Sequence, residues 1–158
     1  MAREYSVQFG GIAVTAQQDL FSIIAGAQRP IAVTGLFLGQ SSDAGDAEDE
    51  MLRYAVIRGH TTVGSGGAAV TPVPLSSTDT AATFTARRND TTIASAGTAV
   101  TLHSDTFNVR AGEKLFLPPE LYWTTSIITA NLRLVVRLLT TPADSLTMSG
   151  TLYVKELF

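Results

Sequence analysis

The chain contains no cysteine, so neither a disulfide nor a thiolate metal site is open to it, and its stability has to come from packing. Charge is scarce too. Asp, Glu, Lys and Arg together make up 16% of the 158 residues, where a soluble domain carries about a quarter. Among the basic residues only Lys114 and Lys155 are lysines; the other nine are arginines, which make planar, bidentate contacts. The formal net charge of -3 argues against a general nucleic-acid binder, which needs a clustered cationic excess to neutralise phosphates. No apolar run reaches the roughly 20 residues of a membrane-spanning helix. Met1 to Tyr5 lacks the apolar stretch of a secretory signal, so the expected place of synthesis is the cytoplasm.

What is present is strand periodicity. Leu132, Leu134, Val136 and Leu138 alternate with Asn131, Arg133, Val135 and Arg137; after a turn at Thr141 to Ser145, Leu146, Met148, Leu152 and Val154 alternate with Thr147, Thr151, Tyr153 and Lys155. Side chains of a strand alternate between two faces, so each segment has an inner and an outer side. Shorter segments rich in Val, Ile, Thr and Phe read as strands over 5–9, 20–24, 31–38, 51–58, 82–87, 98–103 and 114–117, separated by Gly, Pro, Asn and Asp. No amphipathic helix stands out. The pattern predicts an all-β protein, a sandwich or a barrel, with residues 1–158 as a single domain.

Two strands break the in-out rule. Residues 31–38 are apolar on both faces, as are 51–57 apart from Arg53, so something covers their outer side: loops of this chain or another subunit. The Gly/Ser/Thr/Pro-rich stretch from Gly59 to Thr80 is a long excursion, in which Val70 to Leu75 reads as an edge strand because proline cannot donate to a ladder.

Chemistry-bearing residues are few. Asp43, Asp46, Glu48, Asp49 and Glu50 form an acidic cluster without the spacing of an EF-hand loop, and they read as a solvated loop guarding a sheet edge rather than a metal site. His60 stands in a loop context as a surface histidine. His103-Ser104-Asp105 holds the residue types of a triad, but neighbours on a strand point to opposite faces. Gly64 to Gly67 lacks the Lys and the following helix of a phosphate loop and reads as a flexible turn. Asn89-Asp90-Thr91 matches a glycosylation sequon. Tyr122 and Trp123 suit either a protein contact or a stacked sugar, with contact favoured. Arg133 and Arg137 share one strand face, as a partner-binding stripe or as ordinary surface charge. The expectation is a protein with no catalytic site, no cofactor and no bound metal.

The segments Gln17 to Phe21, Gly39 to Asp46, Ile57 to Thr62, Phe107 to Glu113 and the final hairpin resemble small β-rich proteins encoded by tailed bacteriophages. That resemblance covers nearly the whole chain and implies a virion structural protein, most readily a capsid decoration (cement) protein, with a single-domain antiparallel β-sandwich of jelly-roll topology as the expected fold. Such a protein forms a homo-oligomer, typically a trimer, and binds the major capsid protein across capsomers. A neck or tail component and a carbohydrate-binding module are the alternatives. If the acidic loop is only solvated, a chelator will leave the melting temperature unchanged. A bound ion stabilises the native state by mass action, so a chelator-induced drop in a thermal melt would reveal one.

Overall fold

The computed structural model describes residues 2–42, 49–125 and 133–157. Twelve strands run along it: β1 (Arg3–Val14), β2 (Gln18–Ile24), β3 (Ile31–Gln40), β4 (Met51–His60), β5 (Ala68–Val70), β6 (Val73–Pro74), β7 (Thr85–Asp90), β8 (Val100–Asn108), β9 (Glu113–Phe116), β10 (Trp123–Thr125), β11 (Arg133–Leu138) and β12 (Leu146–Glu156). A single 3-10 turn, Pro119–Leu121, separates β9 from β10. The expected segments are all strands, several of them longer or shifted. β5 and β10 had no signal of their own, being three residues each. Gly10 and Gly11, which look like a turn, instead form a bulge inside β1, where the pairing with β12 skips from Phe9 to Ile12.

The strands form two six-stranded sheets, antiparallel throughout. The first sheet runs β10-β3-β12-β1-β6, with β9 continuing the β10 side of β3; the second runs β5-β7-β2-β11-β4-β8. The pairings nest like a long hairpin rolled on itself: β1 lies beside β12, β2 beside β11, β3 beside β9 and β10, and β4 beside β8. The roll is closed within each sheet, by β12 on β3 and by β11 on β4. β6, with Pro74, is the edge strand expected near Leu75 and caps only Tyr5 and Ser6 of β1.

The core is the space between the sheets. From the first come Val7, Phe9, Leu36, Leu38, Leu152 and Val154; from the second, Phe21, Ile23, Leu52, Val56, Leu134 and Val136. Phe9 and Phe21 meet across the gap with ring centroids 5.1 Å apart. Gly150 makes room for Phe9, since a methyl there would crowd both that ring and Leu38. A buried carboxylate ties one end: Glu156 accepts the backbone N–H and the hydroxyl of Thr83 at 2.6 and 2.7 Å. Leu134 is fully buried in this core. Leu134→Ala is expected to cost about 2–5 kcal/mol of unfolding free energy by denaturant titration, and Leu134→Asp to abolish folding by burying an unpaired charge.

Candidate interaction surface

The outer face of the second sheet carries Arg133, Val135 and Arg137 of β11 beside Ala55 and Ile57 of β4. The face is shared as the sequence predicts, but it is not open. Segments 61–65 and 92–95 pair as an irregular ribbon: Thr62 and Ser95 exchange backbone hydrogen bonds at 2.9 and 3.1 Å, and Ser65 and Thr92 do so at 3.0 and 2.9 Å. Ala94 of this ribbon packs with Ala55, Ile57 and Val135 into a second small apolar cluster. Gly59 and Gly97, both at positive φ, let the backbones approach; a methyl at Gly59 would run into the Thr98 carbonyl. Gly64, in the glycine-rich stretch read as a flexible turn, lies against the Thr92 carbonyl, so that stretch is part of a close backbone contact, and the cover over β4 comes from a loop.

Arg137 is 7% exposed. Its Nε donates to Asp19 Oδ1 at 2.6 Å and its Nη2 to the Ala94 carbonyl at 2.9 Å, while Asp19 Oδ2 accepts the Ala94 N–H at 2.6 Å. Arg133 is similarly buried, its Nη1 donates to the Thr61 carbonyl, and burial lowers its pKa from the ordinary guanidinium value. The exposed stripe is therefore corrected: both arginines bind this chain's own ribbon. His60 is likewise buried rather than on the surface, its Nδ1 3.3 Å from the Ala96 carbonyl, which can only accept, so Nδ1 carries the proton.

Trp123 also lies inside. It belongs to the core, beside His103 at a ring-centroid distance of 5.2 Å, and offers no platform for a sugar. Tyr122 is half-buried. The two residues meet His103, Arg58 and Leu121 in a cleft of about 370 Å3 at one end of the sandwich. His103 Nε2 is 3.3 Å from the Tyr54 hydroxyl and 3.8 Å from Asp105 Oδ2. Burial, then the Glu113 and Asp105 carboxylates, push the Tyr54 phenol up, so it stays neutral. Ser104 lies opposite Ala55, on the outer face, whereas His103 lies opposite core Val56, so the three consecutive residues do not converge. Asn89, the sequon residue, is buried and accepts from Gln18 Nε2 at 2.9 Å, which closes it to a glycan in the folded state. Of the acidic cluster, Asp43, Asp46 and Glu48 lie outside the described residues; Asp49 pairs with Arg110 at 3.1 Å and Glu50 accepts the Ala143 N–H at 2.7 Å.

The outer face of the first sheet is different. Gly35 of β3 lies between Phe116 of β9 and Tyr153 of β12, and both rings close over it. Phe37 packs edge-on against both, at 4.9 and 5.7 Å. Phe116 is nonetheless 72% exposed, and Leu121, Leu75 and Val73 also present much of their surface to solvent. Phe116, Tyr122, Tyr153 and Leu75 line a depression of about 320 Å3 on this face. Phe37, Phe116 and Tyr153 come from three separate strands, so no local sequence pattern announces this patch.

No protein-family model matches the chain, and no curated protein or solved structure matches it. What fold and surface define is an all-β, two-sheet antiparallel sandwich with one outer face sealed by its own ribbon and the other carrying an aromatic patch.

Removing Arg137 leaves Asp19 buried without its cation, so Arg137→Ala is expected to cost about 3–5 kcal/mol. Amide exchange at Ala94 reports whether the ribbon is held by this pair: it should accelerate in Arg137→Ala more than core amides do. Equal acceleration throughout would mean the ribbon is held by other contacts.

Proposed function

We propose that this chain is a structural protein of a tailed-bacteriophage particle, a capsid decoration protein that acts by contact and carries out no reaction. The observation that carries the reading is the aromatic patch around Phe116. A folded chain rarely leaves a contiguous apolar surface of this kind uncovered unless it meets a partner, and aromatic side chains dominate the energetics of protein contacts. The other outer sheet face is closed by the chain's own ribbon, so the patch is the side favoured for assembly into a homo-oligomer, taken here as a trimer, and for docking on the shell. Each attached subunit adds buried surface across a capsomer junction, and an oligomer binding at several points gains avidity without new chemistry.

We read the topology as a jelly-roll. Four nested strand pairs that alternate between two sheets, in the orders β1-β12-β3-β9 and β2-β11-β4-β8, support that reading. It agrees with the phage resemblance, since jelly-rolls recur in capsid proteins.

Phe116→Asp and Leu121→Asp test the patch, because both side chains are mostly solvent-exposed and their replacement leaves the core intact. The parent is expected to be an oligomer by light scattering at micromolar concentration and to co-sediment with particles lacking it. The double variant should bind at least about 30-fold more weakly, as for loss of a contact hot spot. His103→Ala should attach like the parent. A monomeric parent, or a double variant that assembles and attaches normally, overturns the reading; attachment to tails but not to shells moves it to the neck or tail.

A further inference from the structure

Along one side of the sandwich, where β1 of the first sheet passes β7 of the second, lies a cleft of about 270 Å3 lined by Ile12, Gln18, Gly66, Gly67, Arg88 and Asn89. β6 covers β1 only at Tyr5 and Ser6, so among the described residues this stretch of β1 has no strand on its outer edge. Arg88 is half-buried, and among the described residues no ion pair or hydrogen bond engages its guanidinium. The neighbouring acid is already occupied. Asp90 accepts from Arg87 at both oxygens, at 2.7 and 3.0 Å, and from the Gly67 N–H at 3.1 Å.

Asn89 sits at a φ of 51°, in the left-handed region that non-glycine residues adopt rarely. That turn of the backbone breaks the strand alternation, so the side chains of Arg88 and Asn89 line one cleft instead of opposite faces. Asn89 Oδ1 is satisfied by Gln18, but its Nδ2 is buried with no hydrogen-bond partner. A buried donor without an acceptor is costly, and a half-buried cation with no counter-charge among the described residues adds to that. Two unmet donors, one of them charged, on adjacent residues beside an apolar wall describe an acceptor of small size and negative charge.

We propose that this cleft binds a carboxylate, with Arg88 as its ion-pair partner and the Asn89 amide as a second donor. The planar guanidinium fork matches the two oxygens of a carboxylate, and a single cation with one amide suits a monoanion better than a phosphate dianion.

The test follows the side-chain N–H signals of Arg88 and Asn89 by NMR in the full chain. Sodium acetate and sodium succinate are titrated at constant ionic strength against chloride. Both signals should shift saturably. Arg88→Gln should weaken the affinity by at least about tenfold, and so should Asn89→Gly, which keeps the left-handed backbone and removes the amide donor together with the acceptor of Gln18. A blocked peptide with one Asp separates the two sources of the group: tighter binding than acetate assigns the cleft to an acidic side chain of a partner, equal binding to a free organic acid. Shifts that match chloride, unchanged affinity in Arg88→Gln with a parent-like backbone spectrum, or binding of inorganic phosphate in place of the carboxylates would each overturn the assignment.

Discussion

Arg137 on β11 reaches Asp19 on β2, and together they hold both backbone polar groups of Ala94, the N–H through the carboxylate and the carbonyl through the guanidinium. The outer face of the second sheet depends on that grip. Val135 and Ile57 point away from the main core, and each would leave on the order of 1.5–3 kcal/mol of burial unrealised if water reached it. The ribbon that shields them is irregular, with only two bridged rungs, and lacks a ladder long enough to hold itself in place. Two buried charges are costly to desolvate, and their mutual attraction offsets that cost only when every remaining donor and acceptor is met. Here the peptide of Ala94 supplies the missing partners, so the ion pair and the ribbon stabilise each other.

Sealing one face leaves the two sides of the sandwich unequal. Among the described residues the first sheet has no comparable cover: the links between β9 and β10 stay at its edge, and Phe116 lies over Gly35 with most of its ring in solvent. Gly35 is central to that arrangement, since its lack of a side chain is what lets Phe116 and Tyr153 approach each other across β3. The patch is therefore built into the sheet instead of being scattered surface residues, and a rigid aromatic surface loses little conformational entropy when a partner covers it.

Much of the fold was legible because strand periodicity is local. Leu134, Val136 and Leu138 announce an inner face, and residues 51–57 announce a second covered one; the cover expected over the outer side of 31–38 is not found among the described residues, where Phe37 and Phe116 form the aromatic patch instead. Which cover was beyond the pattern, since Ala94 is a small residue in a Ser/Ala/Gly loop with no periodicity of its own. Arg133 and Arg137 were placed on the correct face and given the wrong exposure for the same reason: their partners Thr61, Asp19 and Ala94 are far away in sequence. Trp123 misled differently. Beside prolines it reads as a loop anchor, yet three residues of pairing, Trp123 to Val33 through Thr125 to Ile31, make it a strand that turns its ring into the core.

The low charge of the chain has a different physical meaning once the interior is known. Asp19, Asp90, Glu156, Arg133 and Arg137 are all buried, so a chain with only 16% charged residues presents still fewer to solvent. Each of the three buried carboxylates accepts a backbone N–H from a loop or strand start: Ala94 for Asp19, Gly67 for Asp90 and Thr83 for Glu156. They act as joints between the sheets and the segments around Gly67, Thr83 and Ala94, holding these without the disulfides that the composition rules out. The outer surface of the first sheet still carries charge beside the patch, since Glu4 lines the same depression as Phe116 and pairs with Lys155 at 3.7 Å, so a partner that covers the patch has to accommodate that pair.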